Sequence, residues 1–301
     1  MGRLVSGFVV LLAVASFSFF MLRAAPGGPF DDERNVPASI KRNIEKRYNL
    51  DKSVVHQYAI FMRGLIFELD LGHSVKRPQS VSEIIRAHFP KSVILGAMSL
   101  GFAALFGIVL GVIAAARQNT WLDHGAMAVA LFGISIPSFV LGPILIAIFS
   151  LHLGWLPPAR FDGLDSMILP SLTLGLIYMG VVARLGRGGL LETMRQDYIR
   201  TARAKGLSER TVVWKHAIRL GLIPVVTFLG PAAAALITGS FVVEQIFQVP
   251  GLGFYFVASI TDRDYPVLTG VLVFYSAFLV VLNLLVDIAY GIIDPRIRDH
   301  R

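Results

Sequence analysis

Six stretches of this chain are apolar over the length that a lipid bilayer demands, which leaves few folds open to it. They are Leu4–Leu22, Ser92–Ala116, Ala126–Phe149, Ile168–Val182 with its flanks, Leu222–Val243 and Val267–Ile292. A helix rises about 1.5 Å per residue, so about 20 residues cross a hydrocarbon core about 30 Å thick. The backbone finds no water there, and a helix satisfies its polar groups internally. Charged residues make up 16% of the 301, against about 25% in a soluble domain. The expected fold class is an all-α polytopic membrane protein with six transmembrane helices. Arg3 precedes the first run and Arg23 stands where a cleavable signal would need small residues. Residues 1–25 are therefore read as a retained helix.

Loop charge sets the direction of insertion. Arg184 to Arg219 holds nine Lys or Arg against three acids, Glu192, Asp197 and Glu209. Short basic loops stay cytoplasmic, and counting outward from this one places both termini inside. Leu151–Asp165 and Glu244–Pro266 then face outward, and each carries more acid than base. Residues 26–90 form an external segment. Ile40, Ile44 and Tyr48, then Tyr58, Met62 and Leu65, recur at helical spacing, so the segment reads as two amphipathic helices broken at "YNLDKS". Residues 91–301 make a five-helix core with a cytoplasmic loop at 184–221. The net charge of +8 belongs to orientation, and no nucleic-acid partner is expected.

Most catalytic chemistries find no residues here. There is no cysteine, which removes thiolate metal sites, disulfides and thiol nucleophiles. The seven histidines, at 56, 73, 88, 124, 152, 216 and 300, make no His-Glu-x-x-His and no close pair. No Gly-x-Ser-x-Gly elbow occurs, "GISIP" being the nearest string. Without a Gly-Lys dipeptide no Walker A loop can be drawn, so the chain is not expected to hydrolyse ATP by itself.

Within the spans, polar residues are the candidates for a translocation path. Ser135 and Ser138 flank Pro137 in "GISIPSFVLGP", where the prolines should kink a helix and expose carbonyls. Glu244 ends the fifth run at the membrane interface, and Asn283 and Asp287 lie one turn apart in the sixth. "GIVLG" at 107–111 is a small-xxx-small pair that lets helices approach closely.

The basic loop contains "TARAKGLSERTVVWKH", residues 201–216. Leu191, Met194, Tyr198 and Ala202 recur at helical spacing before Gly206, and basic residues precede that glycine as suits a helix C-terminus. Ser208 offers an N-cap and Glu209 an acid in the next first turn. A second helix runs on through Val212, Val213, Trp214, His216 and Ala217. A helix–glycine–helix knuckle with small residues at its bend is shaped to enter a groove on another protein.

This stretch resembles the cytoplasmic loop of binding-protein-dependent ABC importer permeases, whose pattern is Glu-Ala-Ala, three residues, then Gly. Arg200-Thr201-Ala202 holds the Glu-Ala-Ala place and Gly206 the glycine, so the glutamate of the pattern is missing. The family's Ile-x-Leu-Pro ending is replaced by His216, Ala217, Ile218 and Arg219, with Pro224 later. "YIRTARAKGLSE" is similar to the variant in dipeptide and oligopeptide permeases. "DLGHS" (70–74), "VPGLG" (249–253), "DRDYP" (262–266) and "DPRIR" (294–298) also resemble that subfamily.

The resemblance implies a type I ABC importer permease (MetI-like) fold in a bacterial cytoplasmic (inner) membrane. It implies a second, paralogous permease subunit, two ABC ATPase subunits, and an external substrate-binding protein that delivers di- or oligopeptides. Cofactors would be ATP and Mg on the ATPases, with none bound by this chain. The ATPase-coupling residues would be Tyr198, Arg200, Thr201, Ala202, Arg203, Ala204, Lys205, Gly206, Leu207, Ser208 and His216. Nickel chelates and peptide conjugates stay open as substrates. The alternative is a secondary carrier or channel without ATPases, which the first three spans disfavour because they hold no buried carboxylate or histidine near mid-membrane.

Overall fold

The computed structural model describes residues 2–24 and 51–293, and the side chains of these apart from 2–4, 287 and 289–293. The described residues are helical almost throughout. In chain order they form α1 (Gly2–Ala24), α2 (Val54–Arg63), α3 (Val81–Ala116), α4 (Trp121–Ser135), α5 (Ser138–His152), α6 (Leu164–Thr193), α7 (Asp197–Ala204), α8 (Glu209–Gly221), α9 (Ile223–Ile237), α10 (Phe241–Ile246), α11 (Leu252–Thr261) and α12 (Tyr265–Ile293). Two compact units can be distinguished. One comprises Met1–Lys91 with Pro250–Leu284, the other Ser92–Val249 with Leu285–Arg301.

In the first unit, α1 and α2 meet through aromatic rings. Tyr58 packs on Phe19 and Phe20, with ring centroids 5.4 and 4.9 Å apart, and its hydroxyl lies 2.7 Å from Ser16 Oγ. Arg23 Nε donates to Gln57 Oε1 at 2.6 Å, which accounts for a buried glutamine on α2. Ser53 caps α2 by accepting from the His56 N–H, so the break expected at "YNLDKS" is where the second amphipathic helix starts. The first one, with Ile40, Ile44 and Tyr48, lies outside the described residues. So does "DPRIR". The core of this unit is Val81, Ile84, Ile85, Leu252, Val267, Val271 and Tyr275.

The second unit contains α4 to α10 and is held by two apolar clusters. One is built on Leu95, Leu169, Leu174, Leu236, Val243, Phe247 and Val249, the other on Val112, Ala115, Leu190 and residues of α7 and α8. "GIVLG" performs as its spacing suggests. A Cβ on Gly107 would lie 2.7 Å from Val182, and one on Gly111 2.8 Å from the Ala183 carbonyl oxygen, so only glycine lets α3 lie this close to α6. Elsewhere large apolar side chains point outward, Leu105, Phe132 and Phe139 each being about 60% exposed. A chain whose solvent is lipid leaves such residues outside.

Among the described residues four helices are long and apolar enough to cross a membrane, or up to six if each of two bent pairs is one span. Three of the expected spans change in outline. The third is not one helix: α4 and α5 meet at 107°. Ile136 is extended at φ −99° and ψ 120°, as the residue before a proline is driven to be, and Pro137 cannot continue the α4 hydrogen bonds. The fifth stops at Ile237 rather than Val243, and a turn over residues 238–240 leads into α10. At 15 residues α9 is about 22 Å long, and α8 joins it at a 48° bend. The second begins at Val81, eleven residues before the expected Ser92, because Ser80 and Glu83 form a reciprocal cap: Ser80 N–H donates to Glu83 Oε2 at 2.8 Å and Glu83 N–H to Ser80 Oγ at 3.2 Å.

Candidate coupling site

The basic loop begins as a continuation of a span. α6 carries on through Arg184 to Thr193, turns at residues 194–196, and α7 starts at Asp197. The expected stripe Leu191–Met194–Tyr198–Ala202 is therefore interrupted. The residues of α7 that pack inward are Ile199, fully buried, and Ala202, 6% exposed. They enter a cluster with Val112 and Ala115 of α3, Leu190 of α6, and Val212, Val213 and Ala217 of α8. Tyr198 is 40% exposed. The break at residues 194–196 resets the helical phase, so Ile199, three residues before Ala202, faces the core in place of Tyr198.

Gly206 turns the chain as its sequence context suggests. Its φ is +78°, a region that costs an L-residue about 1–2 kcal/mol. Gly206 N–H donates to the Arg203 carbonyl at 2.9 Å and Leu207 N–H to the Ala202 carbonyl at 3.4 Å. These two bonds are the 5→2 and 6→1 pair of a Schellman motif. Ser208 Oγ then accepts from the Thr211 N–H at 3.4 Å and starts α8. Across the turn, Arg203 Nε and Nη2 donate to Glu209 Oε1 and Oε2 at 2.7 and 3.2 Å. Sequence reading missed this pair, although the turn brings residues six apart face to face. The hydrogen bond from Arg203 holds the Glu209 carboxyl below its ordinary value of 4.5.

The knuckle thus has two faces. Ile199 and Ala202 seat it in the chain's own core. Tyr198, Arg200, Thr201, Arg203, Ala204, Lys205, Gly206, Leu207 and Ser208 are exposed around the bend, and His216 is half-buried on α8. Ala202 does not share the exposed face; a small residue is needed there to let α7 settle on its seat. Among the described residues, Arg210, Lys215 and Arg219 on α8 are exposed and make no ion pair.

The polar residues of the spans fall in different environments. Ser135 is exposed and its hydroxyl donates to the Leu131 carbonyl at 2.8 Å, one turn back in its own helix. Ser138 is half-buried at the start of α5 and Asn283 exposed on α12, while the Asp287 side chain lies outside the described residues. Glu244, at the start of α10, is fully buried and accepts a hydrogen bond from Ser92 Oγ at 2.8 Å. The early end of α9 at Ile237 lets α10 turn into the core, where Val243 also packs.

Three of the resembling strings meet in the first unit. Ser74 of "DLGHS" donates to the carboxylate of Asp264 in "DRDYP", and Val75 N–H donates to Asp264 Oδ1 at 3.2 Å. Arg77 reaches Asp262 at 3.4 Å and lies 4.9 Å from the Tyr255 ring. Tyr255 stacks on His88, whose Nδ1 donates to the Pro250 carbonyl of "VPGLG" at 2.9 Å. The strings are one packed structure rather than separate sites.

Residues 107–299 match the family described as "Binding-protein-dependent transport system inner membrane component". The dipeptide transport system permease protein of Bacillus subtilis is 44% identical over 292 residues, 97% of this chain and 94% of that one. The oligopeptide transport system permease protein of Haemophilus influenzae is 40% identical over 299 residues, 98% of this chain and 97% of that one. Among solved structures, an inward-facing MetNI methionine ABC transporter gives a TM-score of 0.58 at 18% identity, covering 70% of this chain and 96% of its own. An amino acid ABC transporter solved with histidines gives 0.55 at 14% identity, covering 69% and 92%. Both share the fold.

Proposed function

Because the chain belongs to the binding-protein-dependent transport system inner membrane components, we propose that it is a permease subunit of an ATP-driven importer of di- or oligopeptides. The observation that carries the mechanism is the knuckle of α7 and α8, an exposed bend on a buried seat. An ATPase groove that closes on α7 pushes Ile199 and Ala202 against the ends of α3 and α6, and those helices carry the displacement into the membrane. The peptide substrate is supported by the names of the two permeases similar over nearly the whole chain.

In this reading two ATPases bind ATP and Mg, a second permease completes the pathway, and an external binding protein loads it. Both termini and residues 184–221 face the cytoplasm, with 26–90, 151–165 and 245–266 outside, on the strength of the loop charge. With Arg200 at the place of the pattern glutamate, Arg203–Glu209 is the ion pair that spans the Gly206 turn. The experiment is uptake of a labelled dipeptide and a labelled oligopeptide in cells with and without the ATPases. Uptake should vanish without them. Uptake that persists, and that an uncoupler abolishes, would instead assign a secondary carrier.

A further inference from the structure

We propose that Asp123 and Arg187 form a strut that makes α4 move with α6, so that motion at the coupling knuckle reaches the bent third span. The inference rests on the importer reading above. Arg187 Nε and Nη2 donate to Asp123 Oδ1 and Oδ2 at 2.7 and 2.8 Å, and the Asn119 N–H donates to Oδ2 at 2.9 Å. The Asp123 side chain is 1% exposed and that of Arg187 28%. One carboxylate thus gathers three donors, two from α6 and one from the turn that starts α4.

Position makes this more than a contact. Arg187 precedes Leu190 by one helical turn, and Leu190 is the α6 residue against which the α7 seat packs. Asp123 sits in the first turn of α4, where the helix dipole also favours a negative charge. Higher up, Gly180 of α6 lies so close to the Ala130 carbonyl of α4 that no Cβ would fit. The two helices are therefore pinned at their ends by a directional ion pair and along their length by backbone contact. Beyond the pinned stretch α4 ends at the 107° break into α5. Stability alone does not call for a carboxylate at the buried Asp123 position, because apolar residues of similar volume often fill such a position as well. A two-pronged bond fixes orientation, which an apolar contact does not.

The test uses the complete complex, this chain with its second permease, both ATPases and binding protein, in proteoliposomes. Peptide uptake and ATP hydrolysis are read on the same sample. Arg187→Lys keeps the charge but loses the two-pronged geometry, and the double variant Asp123→Leu/Arg187→Met removes the pair at similar volume. Both should assemble in normal amounts and hydrolyse ATP within about twofold of wild type, with uptake per ATP down about threefold in Arg187→Lys and about tenfold in the double variant. An unchanged ratio in either assembled variant, beside normal wild-type uptake, overturns the strut alone. Failure of both variants to assemble also overturns it and assigns the pair to folding. Absence of ATP-driven uptake by the wild-type complex would overturn the importer reading, and the strut with it.

Discussion

The Arg203 guanidinium grips the Glu209 carboxylate at 2.7 and 3.2 Å and so closes the two sides of the Gly206 turn. Both side chains are partly exposed, at 38% and 64%, so the pair contributes at most about 1 kcal/mol. Its role is to hold the shape of the bend. Arg203→Glu should therefore leave membrane abundance unchanged while lowering uptake and ATPase stimulation to a partial level, as read by vesicle transport. Restoring attraction with Glu209→Arg on the same chain should recover part of both.

That pair also sets a pH expectation. Glu209 titrates below its ordinary value because Arg203 binds its charged form. A depressed carboxylate stabilises the fold fully above its unfolded pKa and loses that contribution as pH falls through the folded one. The window therefore lies below 4.5. Uptake between about pH 6 and 8 should show no step that Glu209→Gln removes; a step that disappears in that variant would contradict the assignment.

Gly206→Val should separate folding from coupling. No atom lies within 4 Å of a Cβ built at this position, so the new side chain meets open space within the chain. The cost is the left-handed backbone, about 1–2 kcal/mol, together with bulk on the exposed face. Membrane abundance should be normal, uptake lost, and ATPase association weakened in a pull-down of the complex. Wild-type transport by this variant would remove the knuckle from the mechanism.

Asp264 offers a stability test away from the coupling loop. It is fully buried and accepts hydrogen bonds from Ser74 and the Val75 N–H. Asp264→Ala deletes an acceptor shared by the buried Ser74 hydroxyl and the part-buried Val75 N–H, which should cost about 1–3 kcal/mol. The melting temperature in detergent should fall clearly, and Asp264→Asn, which keeps one acceptor oxygen, should fall less. Equal melting of the two variants would mean that the carboxylate geometry is not what joins these strings.

Because the chain has no cysteine, its topology can be read one residue at a time. Arg210→Cys and Val55→Cys replace exposed residues, Val55 being 73% exposed. An impermeant thiol reagent added to intact cells should label the second and not the first. Labelling of position 210 from outside would reverse the orientation drawn from loop charge.

What the sequence by itself determined is what depends on neighbours along the chain. Run length and hydropathy located the four helices long enough to cross and the two bent pairs, because crossing a bilayer is a requirement on one segment at a time. Gly206 and Ser208 marked the bend, since a left-handed C-cap and an N-cap oxygen act within a few residues. Pro137 announced a kink for the same reason. The tertiary structure decided the rest. It set the angle of that kink at 107°, since a proline deletes hydrogen bonds but packing chooses the direction. It turned Glu244 inward to meet Ser92, 152 residues away in the chain. It joined Asp123 to Arg187 across 64 residues and Ser74 to Asp264 across 190. No periodicity or cap records such pairs, because each exists only once particular helices have become neighbours, and helix neighbours are selected by the fit of whole faces rather than by any local pattern.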